Sequence, residues 1–172
     1  MSARAAFVTA VDRLSIACAV LAAVLLLIAA LVVSWSVIYR ALGASTYWEI
    51  EFAVYAMVAS VFLASPYCLQ TRGHIGVDLL GHFLPPRAAR GVAVALTLLG
   101  LGVCIYLAVA GTGLALDSLA KGERTESTWA PLRWPLYAML PLGLALTALQ
   151  YVAELLRPAA PAQAEAGLPR TL

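Results

Sequence analysis

Charge is what this sequence has least of. Only 12% of its 172 residues are Asp, Glu, Lys or Arg, while 63% are hydrophobic; a soluble domain carries about 25% charged and 45–50% apolar residues. A water-exposed surface built from so few charges would present large apolar patches and aggregate, so the composition excludes an ordinary soluble globule and points to lipid. The net charge of +2 is too small to imply a nucleic-acid partner. Cysteine is sparse as well. Cys18, Cys68 and Cys104 are odd in number, lie inside apolar runs and lack metal-ligand spacing, which excludes a disulfide framework or a cysteine metal site and leaves them as small core residues.

What the chain does have is four long uncharged runs, at 14–39, 52–69, 91–116 and 134–153. About 20 apolar residues at 1.5 Å rise cross the roughly 30 Å hydrocarbon core. The first run follows Arg4 and Arg13 but is far longer than the 7–15 residues of a signal-peptide h-region. The expectation is an all-α integral membrane protein of four helices. Its spans fall at about 14–39, 46–70, 89–116 and 133–156 within one membrane domain, 1–156. The Ala- and Pro-rich tail, 157–172, is expected to be disordered. The second span extends back to Thr46 because Thr46 and Glu49 stand at capping-box spacing, which places Glu49 and Glu51 near the positive end of the helix dipole. Pro135 suits a first turn, whereas Pro141 lies well inside the fourth span and is expected to kink or unwind it. Pro66 falls near the end of the second.

Basic residues set the orientation. Arg4, Arg13, Arg72, Arg87, Arg90, Arg157 and Arg170 flank one side, against Arg40, Lys121, Arg124 and Arg133 on the other, so both termini are expected in the cytoplasm. Between spans two and three, Ile75, Leu79 and Phe83 recur every four residues beside a strip of His74, Asp78 and His82. That pattern predicts a short amphipathic helix lying in the interface. His74, Asp78 and His82 do not make a metal site, because positions i and i+8 of a helix stand more than about 10 Å apart.

Chemistry has few places to sit. The four runs contain no ionisable side chain, the usual mark of a transport pathway or membrane enzyme, and no histidine, which a haem-carrying bundle requires. No internal repeat of the kind that builds many secondary transporters is visible. Ser34, Ser36, Ser60, Ser65, Thr97, Thr112, Thr147 and Gln150 read as polar residues satisfied by backbone or neighbouring helices. Nothing here supports catalysis or a cofactor. Gly100, Gly102, Gly111 and Gly113 in the third span permit close helix packing, within the chain or against another subunit. Trp48, Glu49 and Glu51 are candidates for an outer-face interface, with a helix cap as the simpler role of the carboxylates. A self-sufficient four-helix exporter acting as a homodimer is the competing function, and it lacks the membrane-embedded carboxylate it would need.

Tyr47-Trp48-Glu49-Ile50-Glu51-Phe52, then an apolar span ending in Arg72-Gly73-His74-Ile75-Gly76-Val77-Asp78, resembles the small permease subunit, DctQ type, of tripartite ATP-independent periplasmic (TRAP) transporters. So does Pro131-Leu132-Arg133-Trp134-Pro135-Leu136-Tyr137 leading to Leu140-Pro141-Leu142-Gly143. The likeness covers about residues 14–156. The family commonly has adjacent acidic residues after the Trp, while Ile50 separates them here. The resemblance implies a multi-pass protein of the bacterial inner membrane with two partners, a large multi-span permease subunit and a soluble periplasmic substrate-binding protein. It implies organic-acid uptake driven by an ion gradient, with sodium bound by the large subunit and none by this chain. Arg72, Gly73, His74 and Asp78 would then organise the cytoplasmic turn, Arg72 pairing with Asp78 or with lipid phosphate. The small subunit of another tripartite carrier family is the alternative of similar size.

Overall fold

Uncharged runs of this length have one stable open-chain form in lipid, the helix, because every backbone N–H and C=O must be satisfied within the segment. The computed structural model describes residues 3–44, 46–72 and 86–157. Among these it contains four helices: α1 (Ala3–Ala41), α2 (Glu49–Arg72), α3 (Pro86–Lys121) and α4 (Trp134–Leu156). Each is long and apolar enough to cross a membrane. The β pairing among the described residues is an isolated bridge between Arg124 and Leu132. The expected interfacial helix, with Gly73, His74 and Asp78, lies outside the described residues, as does the tail from residue 158.

Glycine ends both helices at the loop end of the bundle. Gly43 (φ +83°) and Gly122 (φ +62°) occupy the left-handed conformation. The next amides turn back onto carbonyls of the last helical turn, Ala44 N–H to Tyr39 at 3.3 Å and Glu123 N–H to Ser118 at 3.1 Å, which is the Schellman arrangement. At the other end α1 and α3 overshoot. Their 39 and 36 residues span about 55–60 Å, against about 35 Å for α2 and α4. Gly100 already faces Tyr151 near the end of α4, so the first turns of α3 project beyond it, and those of α1 do the same. Arg4, Arg87 and Arg90 belong to these projections, and Arg13 lies level with the end of α4. α1 therefore begins at Ala3 rather than near 14, its Ala-rich start favouring continued helix.

α1, α2 and α4 pack as a triangle, and α3 lies against α4. Both α1 and α2 are apolar all round, so their inward faces are marked by small size rather than by hydrophobicity. Val11, Ser15, Cys18, Ala22, Ala29 and Ser36 of α1 are buried, while Leu27, Leu31 and Val37 point outward. On α2, Glu49, Ala53, Ala56, Ser60 and Leu63 are buried. Steps of three and four give the 3.5-residue seam of a left-handed helix pair. Without a hydrophobic driving force in lipid, close approach of small residues supplies the packing energy. Ala29 meets Ala53 and Ala56. Further along, Cys18, Ala22 and Leu63 gather Leu146 of α4. Cys68 departs from the expected core role and is exposed, because two residues carry it about 200° round the helix from buried Pro66.

The α2–α4 contact is closest where proline and glycine meet. Pro66 has no N–H, so the Phe62 carbonyl loses its usual helical donor. Gly143 sits against that carbonyl: a Cβ there would lie 2.6 Å from the oxygen and 2.5 Å from Phe62 Cβ. One turn on, Thr147 Oγ1 lies 3.0 Å from Ser65 Oγ and 2.8 Å from the Gly143 carbonyl. Of the kink or unwinding expected at Pro141, unwinding does not occur, since α4 stays helical through it, and Gly111 of α3 leaves room for Leu140 and the proline ring.

Candidate functional site

Two polar assemblies stand out, one at each end of the bundle. At the terminal end, Ser15 Oγ donates to Gln150 Oε1 at 2.8 Å, and Gln150 Nε2 donates to Asp12 Oδ1 at 3.0 Å. Arg157 Nη2 donates to both Asp12 oxygens at 2.9 Å, and its Nη1 lies 3.3 Å from Glu154 Oε2. Gln150 is fully buried and Ser15 is 2% exposed. The result is a latch between the start of α1 and the end of α4, in which a buried amide has both its donor and its acceptor satisfied. Reading the first span from residue 14 hid it, since Asp12 falls outside that span. The signal was spacing: Asp12 and Ser15 lie on one face of a helix, as do Gln150 and Arg157, two turns apart.

At the loop end the α3–α4 connection folds into a short hairpin that lies over the start of α2. Thr125 N–H donates to the Pro131 carbonyl and Arg133 N–H to the Glu123 carbonyl, both at 3.0 Å. Ser127 Oγ accepts from Ala130 N–H at 3.1 Å and Arg124 Nη1 donates to the Ala130 carbonyl at 3.2 Å, holding Ala130 at φ +45°. Tyr55 of α2 donates to the Leu132 carbonyl at 2.9 Å. Trp48 packs edge-on against Phe52 and against Trp129 of the hairpin, with ring centroids 6.1 and 6.5 Å apart.

This packing displaces the expected capping box. α2 starts at Glu49, with Phe52 N–H donating to the Trp48 carbonyl at 3.0 Å. The Thr46 hydroxyl is buried without a partner. Edge-on packing of Trp48 against Phe52 and Trp129 fixes the chain entry in place of a side-chain cap.

Of the three outer-face candidates, Trp48 is exposed and Glu51 half-buried, whereas Glu49 is only 2% exposed. Glu49 continues the small-residue seam of Ala53 and Ala56, one turn beyond where they meet α1. Oε2 of each glutamate is buried without a hydrogen-bond partner. Glu51 also lines a half-open groove of about 280 Å³ with Tyr55, Thr125, Arg133 and Tyr137. Among the glycines, Gly100 faces the Tyr151 ring and Gly111 faces Leu140 and Pro141, while Gly102 and Gly113 have nothing within 4 Å. Arg72 is the last residue of α2. Among the described residues no three His, Cys, Asp or Glu side chains gather as a metal site.

The loop-end cluster and the four-span bundle are drawn from the same segments that carried the family resemblance. The family model described as Tripartite ATP-independent periplasmic transporters, DctQ component, matches residues 29–160. Searches of curated proteins and of solved structures matched nothing. The matched stretch runs from the middle of α1 past the end of α4 and takes in the loop-end hairpin and the α4 side of the latch, but not Asp12 and Ser15. The chain therefore belongs to the DctQ family, the small, non-catalytic membrane subunits of tripartite ATP-independent periplasmic transporters.

Proposed function

We propose that this chain braces the large permease subunit of a TRAP transporter in the bacterial inner membrane. In that reading a periplasmic binding protein delivers an organic acid, and an ion gradient, sodium in the expected form, drives its uptake through the large subunit. The observation that carries the reading is the family match over most of the chain, joined to the way the bundle is built. Among the described residues, the seams midway along the bundle hold small apolar and hydroxyl side chains; Glu49 and Asp12 lie at its two ends, which are tied by the hairpin and the latch. Such a body suits a static support better than a moving carrier.

The loop end faces the periplasm and the termini the cytoplasm. The basic projections of α1 and α3 support this orientation, since Arg-rich flanks are retained on the cytoplasmic side. The outward face of α3 is the docking face: Gly102 and Gly113 have open space where another helix backbone can approach.

Cells that keep the large subunit and the binding protein but lack this chain are expected to lose uptake of the labelled organic acid. Re-expression restores it. A Gly102→Leu, Gly113→Leu double variant is expected to reach the membrane and melt like wild type yet fail to restore uptake. Full uptake without the chain contradicts the bracing role.

A further inference from the structure

The loop-end groove keeps a cation and an anion on its walls without letting them neutralise each other. Arg133, at the N-terminal boundary of α4, makes no side-chain hydrogen bond or ion pair among the described residues, although Glu51 lines the same groove. Glu51 in turn has a buried Oε2 without a partner. An unsatisfied charged atom out of water is costly, so the groove as it stands lacks a ligand of two signs. An organic acid would suit Arg133 but would be repelled by Glu51, and a simple cation the reverse.

Apart from the hydroxyls of Tyr55, Thr125 and Tyr137, the rest of the wall is apolar. Val54, which is exposed, and Leu136, which is half-buried, carry the wall outward along α2 and α4. At about 280 Å³ the groove falls below the 300–1,000 Å³ of drug-sized pockets, a size for a headgroup rather than for a whole large ligand. Its depth in the bilayer is marked by tryptophan. Trp35 at the end of α1, Trp48 before α2, Trp129 in the hairpin and Trp134 at the start of α4 all lie at this end and all are exposed, forming the aromatic belt of a membrane–water interface. The Tyr55–Leu132 bond fixes the rim in advance, so little ordering is needed on binding.

We propose that this groove binds the headgroup of an amine-bearing phospholipid such as phosphatidylethanolamine. The phosphate lies on Arg133, the ammonium on Glu51, and an acyl chain runs out past Val54 and Leu136. Arg presents paired donors to phosphate oxygens, and the ammonium supplies the donor that Glu51 lacks. The site is independent of the transport reading, since it is assembled from this chain alone.

The test is native mass spectrometry of the full-length chain in mild detergent, titrated with phosphatidylethanolamine or with phosphatidylglycerol, which shares the phosphate but has no ammonium. Wild type is expected to retain the ethanolamine lipid about tenfold better, the scale of one charge-assisted hydrogen bond. Glu51→Gln abolishes that preference, and Arg133→Gln weakens retention of both lipids. Leu136→Trp keeps both charges, fills the groove and expels both lipids; melting curves of each variant report folding. Equal retention of the two lipids by wild type, or a preference that survives Glu51→Gln in a folded chain, overturns the proposal.

Discussion

Replacing Gly143 by alanine adds one methyl group where α4 meets the backbone of α2. The new carbon would stand 2.5 Å from Phe62 Cβ, 2.6 Å from the Phe62 carbonyl oxygen and 2.9 Å from its carbonyl carbon, where ordinary contacts fall at about 3.5–4.0 Å. Two of these three atoms are backbone, so a rotamer change does not relieve the clash; α2 and α4 must part by about 1 Å. That movement also stretches the 3.0 Å contact between Thr147 and Ser65 out of hydrogen-bond range. Overpacking of this kind costs about 1–3 kcal/mol, and the interhelical bond adds about 0.6 kcal/mol. Alanine returns about 1 kcal/mol of helix propensity, which leaves a net loss of about 0.6–2.6 kcal/mol. The assay is thermal unfolding of the purified chain in one detergent, followed by helical circular dichroism, with Gly102→Ala as control. That site gains the same propensity and its Cβ meets nothing within 4 Å. Gly143→Ala is expected to melt a few degrees below wild type and Gly102→Ala at or slightly above it. A Gly143→Ala chain as stable as Gly102→Ala refutes the close α2–α4 approach.

The latch and the hairpin give two further outcomes. Gln150→Leu removes the bonds to Ser15 and Asp12 and strands a buried hydroxyl, so it is expected to lower stability by about 1–3 kcal/mol in the same melting assay, with Ser15→Ala losing less. Tyr55→Phe removes the bond to the Leu132 carbonyl. Hydrogen exchange is expected to rise across residues 123–133 while the centres of α1 and α2 stay protected; unchanged exchange in the hairpin would mean that Trp129 alone anchors it.

The four helices and their order were legible because length and absence of charge are one-dimensional properties. So was the structural role of Gln150 and Thr147 as polar residues satisfied across helices. Helix ends were less legible, since they depend on what the neighbouring chain does. Thr46 and Glu49 have the spacing of a cap, yet contact between Trp48 and Trp129, far apart in sequence, decides where α2 begins. Asp12 reads as a flanking charge until α1 is seen to run beside the end of α4. The groove was invisible for the same reason: Glu51, Tyr55, Thr125, Arg133 and Tyr137 come from three segments that only the antiparallel packing brings together. The glycines of α3 divide by helical phase, since Gly100 and Gly111 fall on the α4 side and Gly102 and Gly113 do not. A list of glycines alone could not separate them.

The central claim is that this chain works as one part of a larger membrane complex, and co-purification tests it most directly. The tagged chain, expressed with the genes beside its own and extracted in mild detergent, is expected to bring down a large multi-span permease in one-to-one ratio, and Gly102→Leu with Gly113→Leu is expected to release that partner. Recovery of the chain only as a homo-oligomer that moves solute in liposomes would contradict the account.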